Sequence, residues 1–164
     1  LKACTGILFN HESPLRPRRF VTRKVVEAAL DVAAGSREPL VLGNLDVWRD
    51  WGWSPEYVQA MWTMLQGDCQ EDYVIATGHA YSLRDFVAAV FAALGLDWRE
   101  HVRQDPALMR RTDLTYSRGN AAKAAQLLGW QADRAMPAVA EAMVVQLRAQ
   151  RLADAAEPAR DRTK

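Results

Sequence analysis

Three short apolar runs, CTGILFN at 4–10, LVL at 40–42 and YVIA at 73–76, alternate with longer segments of helical periodicity. Runs of this length, bounded by polar residues or glycine, read as buried strands, and their alternation with helices restricts the class to α/β or a helix-rich α+β. Three short strands make a thin sheet, and a self-contained doubly wound sheet needs more. The 164 residues fit one domain.

Val25, Val26, Ala29, Leu30 and Ala33 recur at helical spacing, with Gly35 where a helix stops. Ser54-Pro55-Glu56 is a strong helix start, and Val58, Met61, Trp62 and Leu65 form an apolar stripe closed by Gly67. Ser82 and Asp85 have capping-box spacing ahead of a buried face of Phe86, Val87, Val90, Phe91 and Leu94, with Gly95 as the stop. The stretch 96–118 reads as charged and irregular. Asn120 is placed to cap a short helix ending at Gly129-Trp130, and a last helix is expected from about Pro137 to Arg151. From 153 to 164 the chain is a polar tail expected to be disordered, leaving 1–152 as the folded portion.

Charge excludes several functions. With 21 Lys+Arg against 20 Asp+Glu, the net charge of +1 gives no global attraction to nucleic acid or an anionic membrane. No run is long and apolar enough to span a bilayer, and two isolated cysteines, Cys4 and Cys69, point to a reducing, cytoplasmic compartment. The chain opens Leu1-Lys2-Ala3-Cys4, with neither an initiator Met nor a signal peptide, so it is expected to be a piece of a longer protein.

The motifs are informative by what they lack. No Gly-x-Gly-x-x-Gly turn and no Gly-Lys-Ser/Thr loop occurs, and the positions four after each tyrosine hold Met61, Thr77, Asp85 and Asn120 rather than lysine. His11-Glu12-Ser13 contains acid–base and nucleophile types, but neighbours on an extended loop point apart, so ligand contact or loop structure is the preferred reading. His11, His79 and His101 are scattered and suggest no metal site. The basic loop Arg16, Arg18, Arg19, Arg23, Lys24 is either a solvated face or a phosphate site leading into a helix. Asn10 and His11 directly before it, and Arg110-Arg111 further on, favour the phosphate site. The loop NLDVWRDWGW likewise admits two readings: tryptophans packed on the core with Arg49 and Asp50 paired, or a nucleotide pocket with an aromatic wall and an arginine.

Taken together, GILFNHESP, FVTRK, LGNLD-x-x-RDWG-x-x-x-x-YV-x-AMW-x-ML, YVIATG and the late KAAQLLGW closely resemble the GDP-mannose 4,6-dehydratases, a branch of the extended short-chain dehydrogenase/reductases. The resemblance runs from about Ala3 to about Val145. It implies the carboxyl-terminal part of an extended Rossmann-type α/β fold, mostly helices with a few short strands and without the glycine-rich turn. It also implies a homo-oligomeric enzyme that removes water from GDP-mannose to give GDP-4-dehydro-6-deoxymannose. In that family NADP takes hydride from C4 of the sugar and returns it to C6, while a proton leaves C5 and hydroxyl leaves C6. The family's glycine-rich turn, Thr/Ser and Glu catalysts and Tyr-x-x-x-Lys pair match nothing here, so no catalytic residue is assigned and the chain alone is expected to be inactive.

Position by position, the resemblance makes His11 and Arg16 NADP contacts. It makes Asn10, Lys24, Asn44, Arg49, Arg110 and Asp113 contacts to the GDP-sugar. The chain departs from the family at Leu15 and Pro17, where arginine and glycine are usual, at Arg111 for proline and at Asp113 for glutamate. A related nucleotide-sugar dehydratase or epimerase, or a non-catalytic GDP-sugar-binding module, remains an alternative.

Overall fold

The apolar runs find their partners far along the chain. A computed structural model describes residues 3–66, 71–109 and 112–156. In chain order its elements are β1 (Gly6–Leu8), β2 (Asn10–Glu12), α1 (Val21–Ala33), β3 (Leu40–Leu42), β4 (Trp48–Arg49), β5 (Trp51–Trp53) and α2 (Ser54–Met64). There follow β6 (Tyr73–Ile75), β7 (Tyr81–Ser82), α3 (Leu83–Ala92), α4 (Trp98–His101), β8 (Val102–Gln104), a 3₁₀ turn at Pro106–Leu108, α5 (Ala122–Leu128) and α6 (Met136–Ala156). Parallel pairs form between β1 and β6, β2 and β5, and β3 and β8; β4 and β7 are antiparallel. Parallel strands need a crossover, and the helices supply it.

Two cores result. The larger packs α1, α3 and α6 together through Val26, Leu30, Phe86, Phe91, Met143 and Leu147, with Trp51 and Trp53 beneath. Each such side chain contributes about 1.5–3 kcal/mol on burial. The smaller core joins α2 and α5 to β6 through Tyr57, Ala60, Met64, Ile75 and Ala124. The helix ends follow the sequence. Ser82 Oγ accepts from Asp85 N at 3.0 Å while Asp85 Oδ2 accepts from Ser82 N at 2.9 Å, and Gly35, Gly95 and Gly129 take positive φ after α1, α3 and α5.

Several expectations are corrected. The α2 stripe is out of phase: Tyr57, Ala60 and Met64 are buried, whereas Val58, Met61, Trp62 and Leu65 are 44–70% exposed. Both sides of α2 are apolar, so periodicity alone could not choose between them. The segment 96–118 holds α4, β8 and the 3₁₀ turn rather than being irregular throughout. The last helix continues to Ala156, so 153–156 of the expected tail are helical, while 157–164 lie outside the described residues. Gly67, Cys69, Arg110 and Arg111 also lie outside them. No helix among the described residues is long and apolar enough to cross a membrane.

Candidate functional site

β2 organises the site because successive side chains on a strand leave opposite faces. Asn10 and Glu12 line a cavity of about 420 Å³ between β2, α1, β3 and β4. His11, between them, turns the other way and stacks on Tyr57 with ring centroids 4.9 Å apart. Its Nδ1 lies 2.8 Å from the Phe9 carbonyl, an acceptor, which puts the proton on Nδ1 and leaves Nε2 as the free ring nitrogen. Gly52, paired opposite His11, makes room for this arrangement: a Cβ there would fall 2.3 Å from the Tyr57 ring. The Tyr57 hydroxyl is buried without a partner, and burial, with Asp50 and Glu56 nearby, pushes the phenol well above its ordinary range.

The cavity carries a cation surplus. Arg16, Arg19, Lys24 and Arg49 line it against two acids, Glu12 and Asp113. Arg49 is heavily engaged: it donates to Asp113 Oδ1 at 3.0 Å, to the Leu114 carbonyl at 2.5 Å and to the Trp48 carbonyl at 2.8 Å. The bonds to Asp113 and Leu114 tie that segment to β4 beside the cavity. Lys24 Nζ donates to the Val41 carbonyl at 2.8 Å. Asn44 Oδ1 accepts from Asp46 N at 2.9 Å, which fixes the turn after β3. Trp51 lines the cavity from its core side while Trp53 is buried, so the tryptophan loop is both core and wall.

Of the residues singled out in sequence, Asn10, Arg16, Lys24, Asn44, Arg49 and Asp113 line this one cavity. His11 lies on the opposite face of β2, so the two residues grouped as NADP contacts are separated, and Arg16 lines the cavity together with residues of the other group. Arg110 lies outside the described residues. The Arg49–Asp50 pair, part of one of the two readings of the tryptophan loop, does not form, because Asp50 is taken by the backbone N–H groups of Thr77, Gly78 and Gly119 and by the Thr77 hydroxyl. The cavity also holds Glu12, considered in the sequence only within the His11-Glu12-Ser13 triplet and given no site role, and Thr22, which the sequence did not single out. Taking NHE as a strand would have found Glu12, since it shares a face with Asn10.

A second, larger cavity of about 690 Å³ lies between α1, β3 and α6. Its charges are balanced: Arg18, Lys24 and Arg151 face Glu27, Asp31 and Glu38. Arg151 donates to Asp31 Oδ1 at 2.7 Å and also binds Glu27, which Arg23 holds at 2.6 Å. Burial alone would raise the Glu27 carboxyl, but hydrogen bonds from Arg151 and Arg23 outweigh it and hold the pKa below the usual value. Cations already matched by acids leave little attraction for an anionic ligand, so the smaller cavity is the better anion site. Among the described residues, no cluster of His, Cys, Asp or Glu could hold a metal.

Comparison with known proteins places the chain in a family. The family model described as GDP-mannose 4,6 dehydratase matches residues 1–143. The chain is 44% identical over 131 residues to GDP-mannose 4,6 dehydratase 1 of Arabidopsis thaliana, covering 80% of this chain and 36% of that protein. It is 42% identical over 148 residues to the human GDP-mannose 4,6 dehydratase, covering 80% and 40%. It thus spans about two fifths of these relatives' length. Among solved structures, RMD from Pseudomonas aeruginosa complexed with NADPH superposes with a TM-score of 0.80 at 19% identity, over 91% of this chain and 48% of that one. A double mutant of the dTDP-glucose 4,6-dehydratase DesIV from Streptomyces venezuelae, solved with NAD and DAU bound, gives 0.77 at 21%, over 92% and 45%. Over about half of each solved structure, these likenesses show part of the extended Rossmann-type α/β fold that the sequence led one to expect. The chain belongs to the GDP-mannose 4,6-dehydratase family.

Proposed function

We propose that this chain supplies the GDP-sugar-binding part of an enzyme that converts GDP-mannose to GDP-4-dehydro-6-deoxymannose, and that the cavity beside β2 is its diphosphate site. The observation that carries this reading is the gathering of Asn10, Arg16, Lys24, Asn44 and Arg49 around one cation-rich cavity. Two phosphates need converging cations, which Lys24, Arg16 and Arg49 provide from α1, the loop before it and β4. Asp113, pinned by Arg49, offers its second oxygen to a ribose hydroxyl. Arg110 belongs to the same proposed set by resemblance.

NADP is the proposed cofactor, and when bound it accepts and returns the substrate hydride. Of the residues described, His11 fits a cofactor contact, since its Nε2 is unspent and its ring is held by Tyr57 and Phe9. Arg16 supplies a charge suited to a phosphate of either nucleotide. The chain's own share of the work is binding and orientation; its sequence contains no Tyr-x-x-x-Lys pair to move the protons. On the same reading the complete enzyme is a cytoplasmic homo-oligomer.

Calorimetry with GDP-mannose on the 164-residue chain tests the proposal. The expected result is saturable binding that weakens with salt and falls about tenfold, roughly 1.4 kcal/mol, in Arg49→Ala. Undiminished binding in that variant, or no heat from the wild-type chain, contradicts it. His11→Ala should leave GDP-mannose affinity unchanged, because its ring lies outside the cavity.

A further inference from the structure

The anion cavity contains an acid that its proposed ligand would repel. Glu12 is 1% exposed and lines the cavity beside Asn10. Thr22, on the first turn of α1, donates its hydroxyl to Glu12 Oε2 at 2.6 Å. The Arg16 Nε lies 3.4 Å from the same oxygen, and the Arg16 guanidinium sits 3.8 Å over the Phe20 ring. Arg16 Nε is buried and makes no hydrogen bond of its own. The Arg16 backbone N–H donates to the Ser13 carbonyl at 3.0 Å, in a turn between Leu15, which is 90% exposed, and Pro17.

Burial raises the Glu12 carboxyl above its ordinary value, although the Thr22 bond and the Arg16 charge pull it down. The ionised group is therefore unfavourable where it stands. A shape-matched neutral side chain would keep the Thr22 bond and remove that penalty, so stability does not account for the charge.

We propose that Glu12 is a positioning residue of the cavity: it holds the Nε edge of Arg16 against Phe20, so that the Nη edge is presented to a phosphate. Thr22 fixes the carboxylate in turn, which links the anion site to the start of α1. The presentation to a phosphate rests on the nucleotide-diphosphate reading of the cavity; the holding of Arg16 does not.

Glu12→Gln separates this role from its rivals by the direction of its effects. A residual negative charge in an anion site would make the variant bind GDP more tightly, and a purely structural role would lower its thermal midpoint. A positioning role predicts an unchanged or higher midpoint at pH 7, together with GDP affinity about tenfold weaker. It also predicts that a separate, slowly exchanging Arg16 Nε–H signal, visible by NMR in the free wild-type chain, merges with the mobile arginines.

Should Glu12→Gln fail to fold, the pH titration of the wild-type signal decides. The groups facing Glu12 are Arg16 and Arg19 from the loop, Thr22 and Lys24 from α1, and Arg49 and Asp113 across the cavity. The fixed Arg16 signal is expected to be lost as pH falls through the raised Glu12 titration. A signal that persists, either in Glu12→Gln or through that titration, overturns the proposal, as does GDP affinity equal to or tighter than wild type in the variant. If the wild-type chain takes up no GDP, the diphosphate reading fails on its own, while the Arg16 signal still settles whether Glu12 holds that side chain.

Discussion

Glu12 and Asp50 are equally buried, each 1% exposed, and lie on or beside the paired strands β2 and β5, yet their surroundings differ completely. Asp50 Oδ1 accepts from Thr77 N at 2.9 Å and Thr77 Oγ1 at 2.7 Å; Oδ2 accepts from Gly78 N at 2.9 Å and Gly119 N at 3.2 Å. It clamps the loop after β6 and the segment before α5 onto β5. Glu12 has one hydroxyl and an arginine held at ion-pair distance. Burial does not reveal what a carboxylate does. The donor set does: a satisfied acid ties backbone together, and an under-satisfied one beside a cavity serves a side chain.

The contrast breaks first, if it breaks, at Asp50. Asp50→Ala orphans three backbone N–H groups and should cost about 3–5 kcal/mol in urea unfolding. Asp50→Asn should cost nearly as much, because its amide cannot accept from both pairs of donors. A loss below about 1 kcal/mol would erase the distinction from Glu12, whose neutral isostere is expected to be tolerated.

Gly119→Ala probes the same clamp from its other side. A Cβ there would lie 2.2 Å from Ala76 Cβ and 3.1 Å from the Phe9 ring, so the backbone that donates to Asp50 must shift. A loss of about 1–3 kcal/mol is expected by thermal unfolding, with GDP binding retained in the molecules that remain folded. Smaller again is Arg151→Ala, which loosens α6 from α1 at a partly exposed ion pair. About 0.5–1 kcal/mol is expected, with no change in nucleotide affinity; a drop in affinity would mean that the balanced cavity takes part in binding.

The smallest effect is a pair of opposite pH slopes. The lowered Glu27 contributes stability above the usual 4.5, and this is lost as pH falls through its depressed value. The raised Glu12 behaves in the reverse sense: its contribution is present below 4.5 and is lost as pH rises through the elevated value. Glu12→Gln should therefore gain on wild type in thermal midpoint between pH 4 and pH 7, whereas Glu27→Gln should fall behind over the acidic part of that range. Parallel curves for the two variants would remove the electrostatic basis of the comparison.

Legibility in the sequence followed side-chain chemistry. The apolar runs behind β1, β3 and β6, the Ser82–Asp85 capping box and the glycine stops after α1 and α3 were readable, because each signal is local and single-valued. β2, β4, β5, β7 and β8 were not. NHE, WR, WGW, YS and VRQ are two or three residues long and carry no alternation, and their pairing is set by distant partners. For the same reason the cavity residues could be named but not grouped, and His11 could not be separated from Arg16 without knowing that β2 turns them to opposite faces.

The central claim is that the cation surplus beside β2, not the larger balanced cavity between α1 and α6, receives the nucleotide diphosphate. Adding GDP-mannose to the isotopically labelled chain and mapping the NMR shifts tests it most directly. Perturbations concentrated at Asn10, Asn44 and Arg49, with Glu27, Asp31 and Arg151 silent, are the result the structure predicts. Shifts centred on Asp31 and Arg151, or none at either cavity, would contradict it.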